Sequence, residues 1–507
     1  MIVPERGSKA YSDPAKPDRL SWAMIAFACV LQIVLGSALA WTHLPLCDEG
    51  FYGVPAHMLS VTGKLTNPVM EPAQVNYLRG IDRDFYWMVP MGMVLQAAAF
   101  KVFGFGLLVQ RGLSVVCGLG ALLFWTMALR HLVTDRVAAL AAVFLSIDTT
   151  FLTLSCLGRS DMISLFFAMA ALAGYMHWRR RSLALALAVA NTACALSGIV
   201  HPNGGLAAVA SLAVLVLSLD RTRLRWSHLA VVAACYCVAG LGWGWYIAQA
   251  PDLFVAQFLG NAGSRLGGPM YFPRMFKGEL MRYLPAVNLG HTRGIDLVIS
   301  LIRVSYLSAI AYCAFSKDIR RRSAVLVLMF AAIAITLLFL EGLKQGWYLV
   351  NLSPEFCALL AICVSHLWKS KRIALRALAA AQVFVLLLGV AGTAYAGSKR
   401  NRQYLYQPTM DYLNAHVGPE DAVFGRSELY FGLRCRTCLR DDENLGEFSG
   451  RRAQYIVLDP DYAAHLEDLR TKSPEIFRDI EARLHTEYHE VFLNANYQVL
   501  RRTATGP

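Results

Sequence analysis

Apolar residues along this chain gather in blocks of about twenty instead of in stripes at helical spacing. That is the pattern of helices sunk in a bilayer, whose whole circumference faces lipid or other apolar helices. The blocks lie near 22–42, 86–106, 107–129, 137–155, 162–178, 183–200, 204–219, 228–248, 295–315, 323–340, 349–368 and 373–395. The second is broken by Pro90, Gly92, Gln96 and Lys101 and runs almost directly into the third, so it is expected to lie in the outer interface without crossing. Basic residues arbitrate, because short cytoplasmic turns carry the excess of lysine and arginine. With eleven spans the cytoplasmic turns hold two basic residues in 130–136, three each in 179–181 and 221–225, and four each in 317–322 and 369–376; the short outer turns hold only Arg159 and Lys344. With twelve, every one of these turns would change side.

The pattern therefore predicts an all-α polytopic membrane protein with about eleven transmembrane helices and a cytoplasmic N-terminus. Its outer face carries a long first loop (43–106, with juxtamembrane helices), a second loop (249–294) and everything after the last span. From about Ser398 the pattern changes to a helical stretch at Gln407–His416 and short β-like runs at 422–424, 455–458 and 497–500. A transmembrane domain over 1–397 and a small extracytoplasmic α/β domain over 398–507 are expected. Elaboration confined to one face places function on that face.

Composition sharpens this in three places. A net charge of +13 raises nucleic acid as a partner, but the basic residues sit in turns between apolar blocks, so no nucleic-acid partner is expected. Most of the twelve cysteines lie inside apolar segments, so no disulfide framework is implied; Cys435 and Cys438 in the tail read as a local disulfide or as plain thiols, without the second pair a zinc site would need. A basic leader (Arg6, Lys9, Lys16, Arg19) precedes the first block, which ends in Ala38-Leu39-Ala40 like a signal-peptidase site; the block exceeds the usual signal core and reads as a retained span.

Candidate chemistry lies at the outer edge. Asp48 and Glu49 follow the first span directly, at a depth where charge is costly without a role; the plain alternative is a solvated helix end. Asp161, in Gly158-Arg159-Ser160-Asp161, falls on the same face, and Arg159 with Asp161 could equally be a local ion pair. Asp148 is a further intramembrane acid. His201, in His-Pro-Asn-Gly-Gly, could bond sugar or phosphate, or simply occupy a chain reversal. Arg79, Arg83, Arg159, Arg265, Arg274 and Lys344 are the outer cations, and Lys344, beside Trp347 and Tyr348, is the first choice for a lipid phosphate, with snorkelling as the alternative.

In order along the chain, Asp48-Glu49-x-x-Tyr52, the run Ala56-His57-Met58-Leu59 to Gly63-Lys64-Leu65, Phe85-Tyr86-Trp87 to Phe103-Gly104, Arg111-Gly-Leu-Ser114, Gly158-Arg159-Ser160-Asp161, and Tyr348-Leu349 with Pro354 resemble the GT-C membrane glycosyltransferases, in the branch of protein O-mannosyltransferases and lipid A aminoarabinose transferase. The chain departs from that pattern at the juxtamembrane segment, which keeps the aromatics but lacks a double proline. The resemblance implies an inverting hexosyl- or pentosyltransferase that takes a sugar from a polyprenyl-phosphate donor to a lipid, glycan or protein acceptor on the outer face. Asp48 would be the base and Asp161 a second catalytic acid that orients the acceptor or, ranked lower, holds a divalent cation; Glu49, Tyr52, Arg83, Arg159, His201, Lys344 and Tyr348 would contact substrate. A bacterial inner membrane, with its lipids as surroundings, suits the basic turns, and an endoplasmic reticulum membrane would fit the topology as well. A transporter or flippase of lipid-linked sugar is the rival reading, but no internal repeat of the kind such proteins carry is seen.

Overall fold

The computed structural model describes residues 18–265, 272–285 and 294–503. The leader residues Arg6, Lys9 and Lys16 and the side chains of Arg265 and Arg274 lie outside the described residues.

The first apolar block forms α1 (Arg19–Thr42), capped by the Asp18 carboxylate on the Ser21 amide. The first long loop, 43–106, holds α2 (Cys47–Thr62) and α3 (Met91–Phe103). α3 has 13 residues and is about 20 Å long, well short of the hydrocarbon core. Then come α4 (Leu107–Leu129), α5 (Asp135–Ser146), α6 (Thr149–Ser155), α7 (Ser160–Trp178), α8 (Leu183–Val200), α9 (Pro202–Leu219) and α10 (Trp226–Ile247). The second long loop carries α11 (Pro251–Phe254), α12 (Gly260–Arg265) and α13 (Phe272–Tyr283), and the bundle closes with α14 (Gly294–Phe315), α15 (Arg320–Leu340), α16 (Ser353–Trp368) and α17 (Ile373–Ser398). Among the described residues eight helices are long and apolar enough to cross a membrane, or nine with α5 and α6 taken as one bent span; α7 and the 16-residue α16 pack among them with most side chains buried.

The block at 137–155 forms two helices and bends by 62° between α5 and α6. The cause is Asp148, which stands at the break, caps α6 through the Phe151 amide (2.8 Å), and accepts from the hydroxyls of Tyr306 and Ser353 (2.8 Å each). Three partners make a buried carboxylate tolerable where an unpaired one would cost several kcal/mol. In lipid, helices associate by close packing and not by the hydrophobic effect. Gly205 shows how close: a Cβ there would stand 2.3 Å from the Gly198 Cα, so α8 and α9 meet backbone to backbone.

Inter-helix contacts sort the turns into two ends. Asp48, Gly158–Asp161, His201 and the 3₁₀ turn Gly346–Asn351 share one end, and Arg402 and Gln403, just beyond α17, bond the Trp41 carbonyl there. At the other, Arg179 and Arg223 converge on Asp220 and Tyr312 meets His366.

Beyond α17, α18 (Gln407–His416) leads into a five-stranded sheet ordered β2-β1-β3-β5-β4, built from β1 (Val423–Phe424), β2 (Leu439–Arg440), β3 (Tyr455–Leu458), β4 (Tyr488–Leu493) and β5 (Gln498–Arg502). β1 pairs in parallel with β2 and β3, while β3–β5 and β5–β4 are antiparallel. Period-two alternation assigns the faces. Phe424, Ile456 and Leu500 pack beneath α19 (Pro460–Lys472) and α20 (Pro474–Glu487). Val423, Tyr455, Val457 and Val499 pack with Met410 and Leu413 of α18, and that cluster also takes in Val54 of α2 and Val69 of the first loop. The tail thus shares a core with the first long loop.

Candidate active site

α2 opens at the bundle edge with Asp48 and Glu49 in its first turn, where acids are favoured by the exposed amides and the helix dipole. α7 opens at Arg159 with Asp161 in its first turn, and α9 opens at His201 with Pro202 as its first residue. The N-termini of three helices therefore meet. Arg159 forms an ion pair with Asp48 through Nη1, and its Nε donates to Asp161 Oδ2 (2.8 Å). Its guanidinium lies 5.5 Å from the centre of the Trp347 ring. His201 Nε2 stands 3.9 Å from Asp161 Oδ1, an ion-pair distance too long for a hydrogen bond, so that buried oxygen has no hydrogen-bond partner among the described residues. The His201 and Tyr348 rings are 5.3 Å apart. Asp161 is buried at 3% exposure, whereas the Asp48 side chain is 34% exposed and is the acid that opens outward.

Structure and sequence part company over Glu49. Expected to contact substrate, it is fully buried. Oε1 accepts from Arg111 Nε (2.7 Å) and the Gly158 amide (2.7 Å), and Oε2 from Arg111 Nη2 (2.6 Å) and the Leu46 amide (3.0 Å). Arg111 completes its bonds on the carbonyls of Ala40, His43 and Leu44. Gln110 ties the same knot, donating to the Gly158 and Glu49 carbonyls (2.7 and 3.1 Å), and Gln96 donates to Gly158 at 3.0 Å. Glu49 thereby clamps the Asp48 turn to the Arg159 turn.

Of the other expected contacts, Tyr52 is buried in the apolar cluster of the first loop, and Arg83 is exposed on that loop. Lys344, with a left-handed φ of 54°, donates through Nζ to the carbonyls of Leu337 and Leu338 (2.8 and 2.6 Å) at the end of α15 and pairs with Glu279 at 3.2 Å. Its three protons are thus spent on the protein. Glu279 and Glu341 also pair with buried Arg282, joining α13 to α15. The two long loops interlock through fully buried Gln257, which bonds the backbones of Arg79, Asp84 and Tyr86 and so fixes Phe85-Tyr86-Trp87. A cavity of about 650 Å3 lies between those loops beside Tyr77, Arg79 and Asp252, away from Asp48. Chemistry, not volume, identifies the site here.

Sequence reasoning missed the roof. A Cβ on Gly50 would fall 2.3 Å from the Ser427 carbonyl carbon, so the tail turn 427–431 rests directly on α2. Asp441 secures it: Oδ2 accepts from the Ser427 amide and hydroxyl (2.8 and 2.6 Å), while its backbone bonds Val69 and Glu71. Burial pushes Asp441 up to about 6 and Glu428 well above the carboxylate range. Cys47 is likewise pushed up by burial and stays a thiol. Nearly 380 residues separate Gly50 from Ser427, and only the glycine hints at a close approach. Cys435 and Cys438 form a disulfide.

The residues do not fit a divalent cation. Between Asp48 and Asp161, where one would stand, lies the Arg159 guanidinium, and no group of three or more metal-ligating side chains occurs among the described residues.

No protein-family model matches the chain and no curated protein matches its sequence. Solved structures do. ArnT from Cupriavidus metallidurans, bound to undecaprenyl phosphate, superposes with a TM-score of 0.59 at 16% identity over 96% of this chain and 100% of that one. The oligosaccharyltransferase AglB from Archaeoglobus fulgidus, with an inhibitory peptide and a dolichol-phosphate, gives 0.56 at 13% over 96% and 75%. The chain has the GT-C fold. On this GT-C bundle the paired acids, Arg159 and His201 gather at a single end, under the tail.

Proposed function

We propose that the protein is an inverting glycosyltransferase that moves a sugar from a polyprenyl-phosphate donor to an acceptor on the outer face of a bacterial inner membrane. In this reading 1–397 is the transmembrane domain, with eleven spans and a cytoplasmic N-terminus, and 398–507 is an extracytoplasmic domain that covers the site and helps select a lipid, glycan or protein acceptor. The observation that carries it is the meeting of Asp48, Arg159, Asp161 and His201 at three helix N-termini, in the fold that ArnT and AglB share.

Asp48 takes the acceptor's proton as the acceptor oxygen bonds the anomeric carbon. The bond from that carbon to the phosphate oxygen breaks, its electron pair leaves with polyprenyl phosphate, and the configuration inverts. Arg159 pairs with Asp48 and aims it. Asp161 orients the acceptor through its free Oδ1, with His201 and Tyr348 beside it. The amide ends of α2, α7 and α9 favour the negative charge of the departing phosphate. Glu49 acts through position, and Lys344 shapes the wall of the site.

The test is release of polyprenyl phosphate from a panel of lipid-linked sugars, with membrane extract as acceptor source. Asp48→Asn should lower the rate by about 100-fold or more, the scale of a general base. Equal rates in wild type and variant would remove Asp48 as the base; donor binding without turnover would favour a flippase.

A further inference from the structure

α1, α6 and α17 leave a second cavity of about 280 Å3, lined by Leu35, Ala38 and Leu39 of α1, Leu152 of α6, and Val390 and Ala394 of α17, with Arg400 at its rim. Three observations at that rim point the same way. Lys399, Arg400 and Arg402 form a basic cluster at the Asp48 end of the bundle, where short turns otherwise hold little basic charge, so sidedness does not account for it. No carboxylate pairs with any of the three among the described residues; Lys399 lies over the Tyr395 ring at 4.7 Å, and Arg402 over the Trp41 ring at 5.1 Å. Those two rings are 62% and 55% exposed, as aromatics at headgroup depth are. Arg400 moreover holds a left-handed φ of 47°, a conformation costly for a residue with a Cβ, as the chain turns out of α17 over the groove.

We infer that this seam binds an anionic glycerophospholipid of the outer leaflet, with one acyl chain in the groove and its phosphate on Lys399 and Arg400. The groove is apolar along Leu35, Leu39, Leu152 and Val390, which suits an acyl chain, and Arg400 lines it where the phosphate of such a lipid would stand. Uncompensated cations at headgroup depth select a negative headgroup over a zwitterionic one. The outward orientation proposed above is needed only to name the leaflet.

The full chain, purified in detergent, would be exchanged into bilayer nanodiscs of phosphatidylglycerol mixed with phosphatidylcholine, and the co-purifying lipid counted by native mass spectrometry. Wild type should retain phosphatidylglycerol about tenfold over phosphatidylcholine. The pair Lys399→Gln with Arg400→Asn should reduce that preference to near parity, and Ala394→Leu, which fills the groove, should lower retention of both lipids. Thermal melting of each variant in the same detergent tells lost binding from lost fold. Equal retention of the two lipids by wild type, or unchanged retention in both folded variants, would overturn the inference. So would displacement of phosphatidylglycerol by added polyprenyl phosphate, which would give the groove to the donor. None of these counts depends on turnover, so a failure of the transferase reading would be seen separately.

Discussion

Replacing Glu49 by Gln tests whether the site is held from beneath. Glu49 and Arg111 are both fully buried, and the carboxylate accepts four hydrogen bonds at 2.6–3.0 Å, two from Arg111 and one each from the Gly158 and Leu46 amides. Gln keeps one acceptor oxygen, removes the charge, and brings an amide NH2 against donors. Breaking one side of a buried ion pair costs about 3–5 kcal/mol, because the remaining charge is left uncompensated. Arg111→Met should cost a similar amount. The double variant should cost less than the two singles together by about 2 kcal/mol or more, since neither charge then remains. Because Glu49 joins the Asp48 turn to the Arg159 turn, a shift of about 1 Å should lower turnover by about 100-fold while the KM for donor changes little. Denaturant unfolding in detergent and initial rates of polyprenyl phosphate release read the two effects. Single variants costing under about 1 kcal/mol, strict additivity, or a rise in donor KM at constant turnover would refute the clamp.

Gly50→Ala should separate the tail from α2, because its methyl meets the Ser427 backbone at 2.3 Å; a loss of about 1–3 kcal/mol, with faster proteolysis of the tail, is expected, and wild-type protection would argue against the docking. The docked tail should lose stability as pH rises from about 4 to 6: Asp441 keeps its proton up to about 6 when folded but loses it near 3.8 when unfolded, so the folded state binds more protons across that window. The contribution of Asp441 is at most about 3 kcal/mol, present below pH 4 and gone above 6, and Asp441→Asn should make the melting temperature fall less steeply over that range, leaving the slope that Glu428 adds. Reducing Cys435–Cys438, which closes a very short loop, should cost the tail about 2 kcal/mol or less and leave transfer intact; abolished transfer in a folded, reduced protein would give the pair a catalytic part.

Much of this was legible along the chain because its cause is local. Apolar blocks dictate spans wherever the bilayer leaves the backbone no partner but itself, and the block interrupted at Pro90, Gly92 and Gln96 forms a helix of only 13 residues. The strand at 455–458 and the helix at 407–416 appeared where their patterns placed them. The bend at Asp148 did not show, because hydropathy averages over the window that an acid breaks, and the Tyr306 and Ser353 partners that make the break tolerable come from distant helices.

At the site the division follows the same physics. The sequence by itself determined a helical membrane bundle and singled out Asp48, Arg159, Asp161 and His201, which packing brings together at one end, because charge beside a bilayer is too costly to go unnoticed. What each charge does there was decided only by folding. Glu49 and Lys344 look like substrate ligands when read as letters, yet Arg111, the Gly158 amide, Glu279 and the end of α15 take up their hydrogen bonds. The tail's place over Gly50 likewise depends on two surfaces nearly 380 residues apart. Hydropathy is a property of a segment, whereas the partner of a charge or the neighbour of a glycine exists only after distant segments have packed.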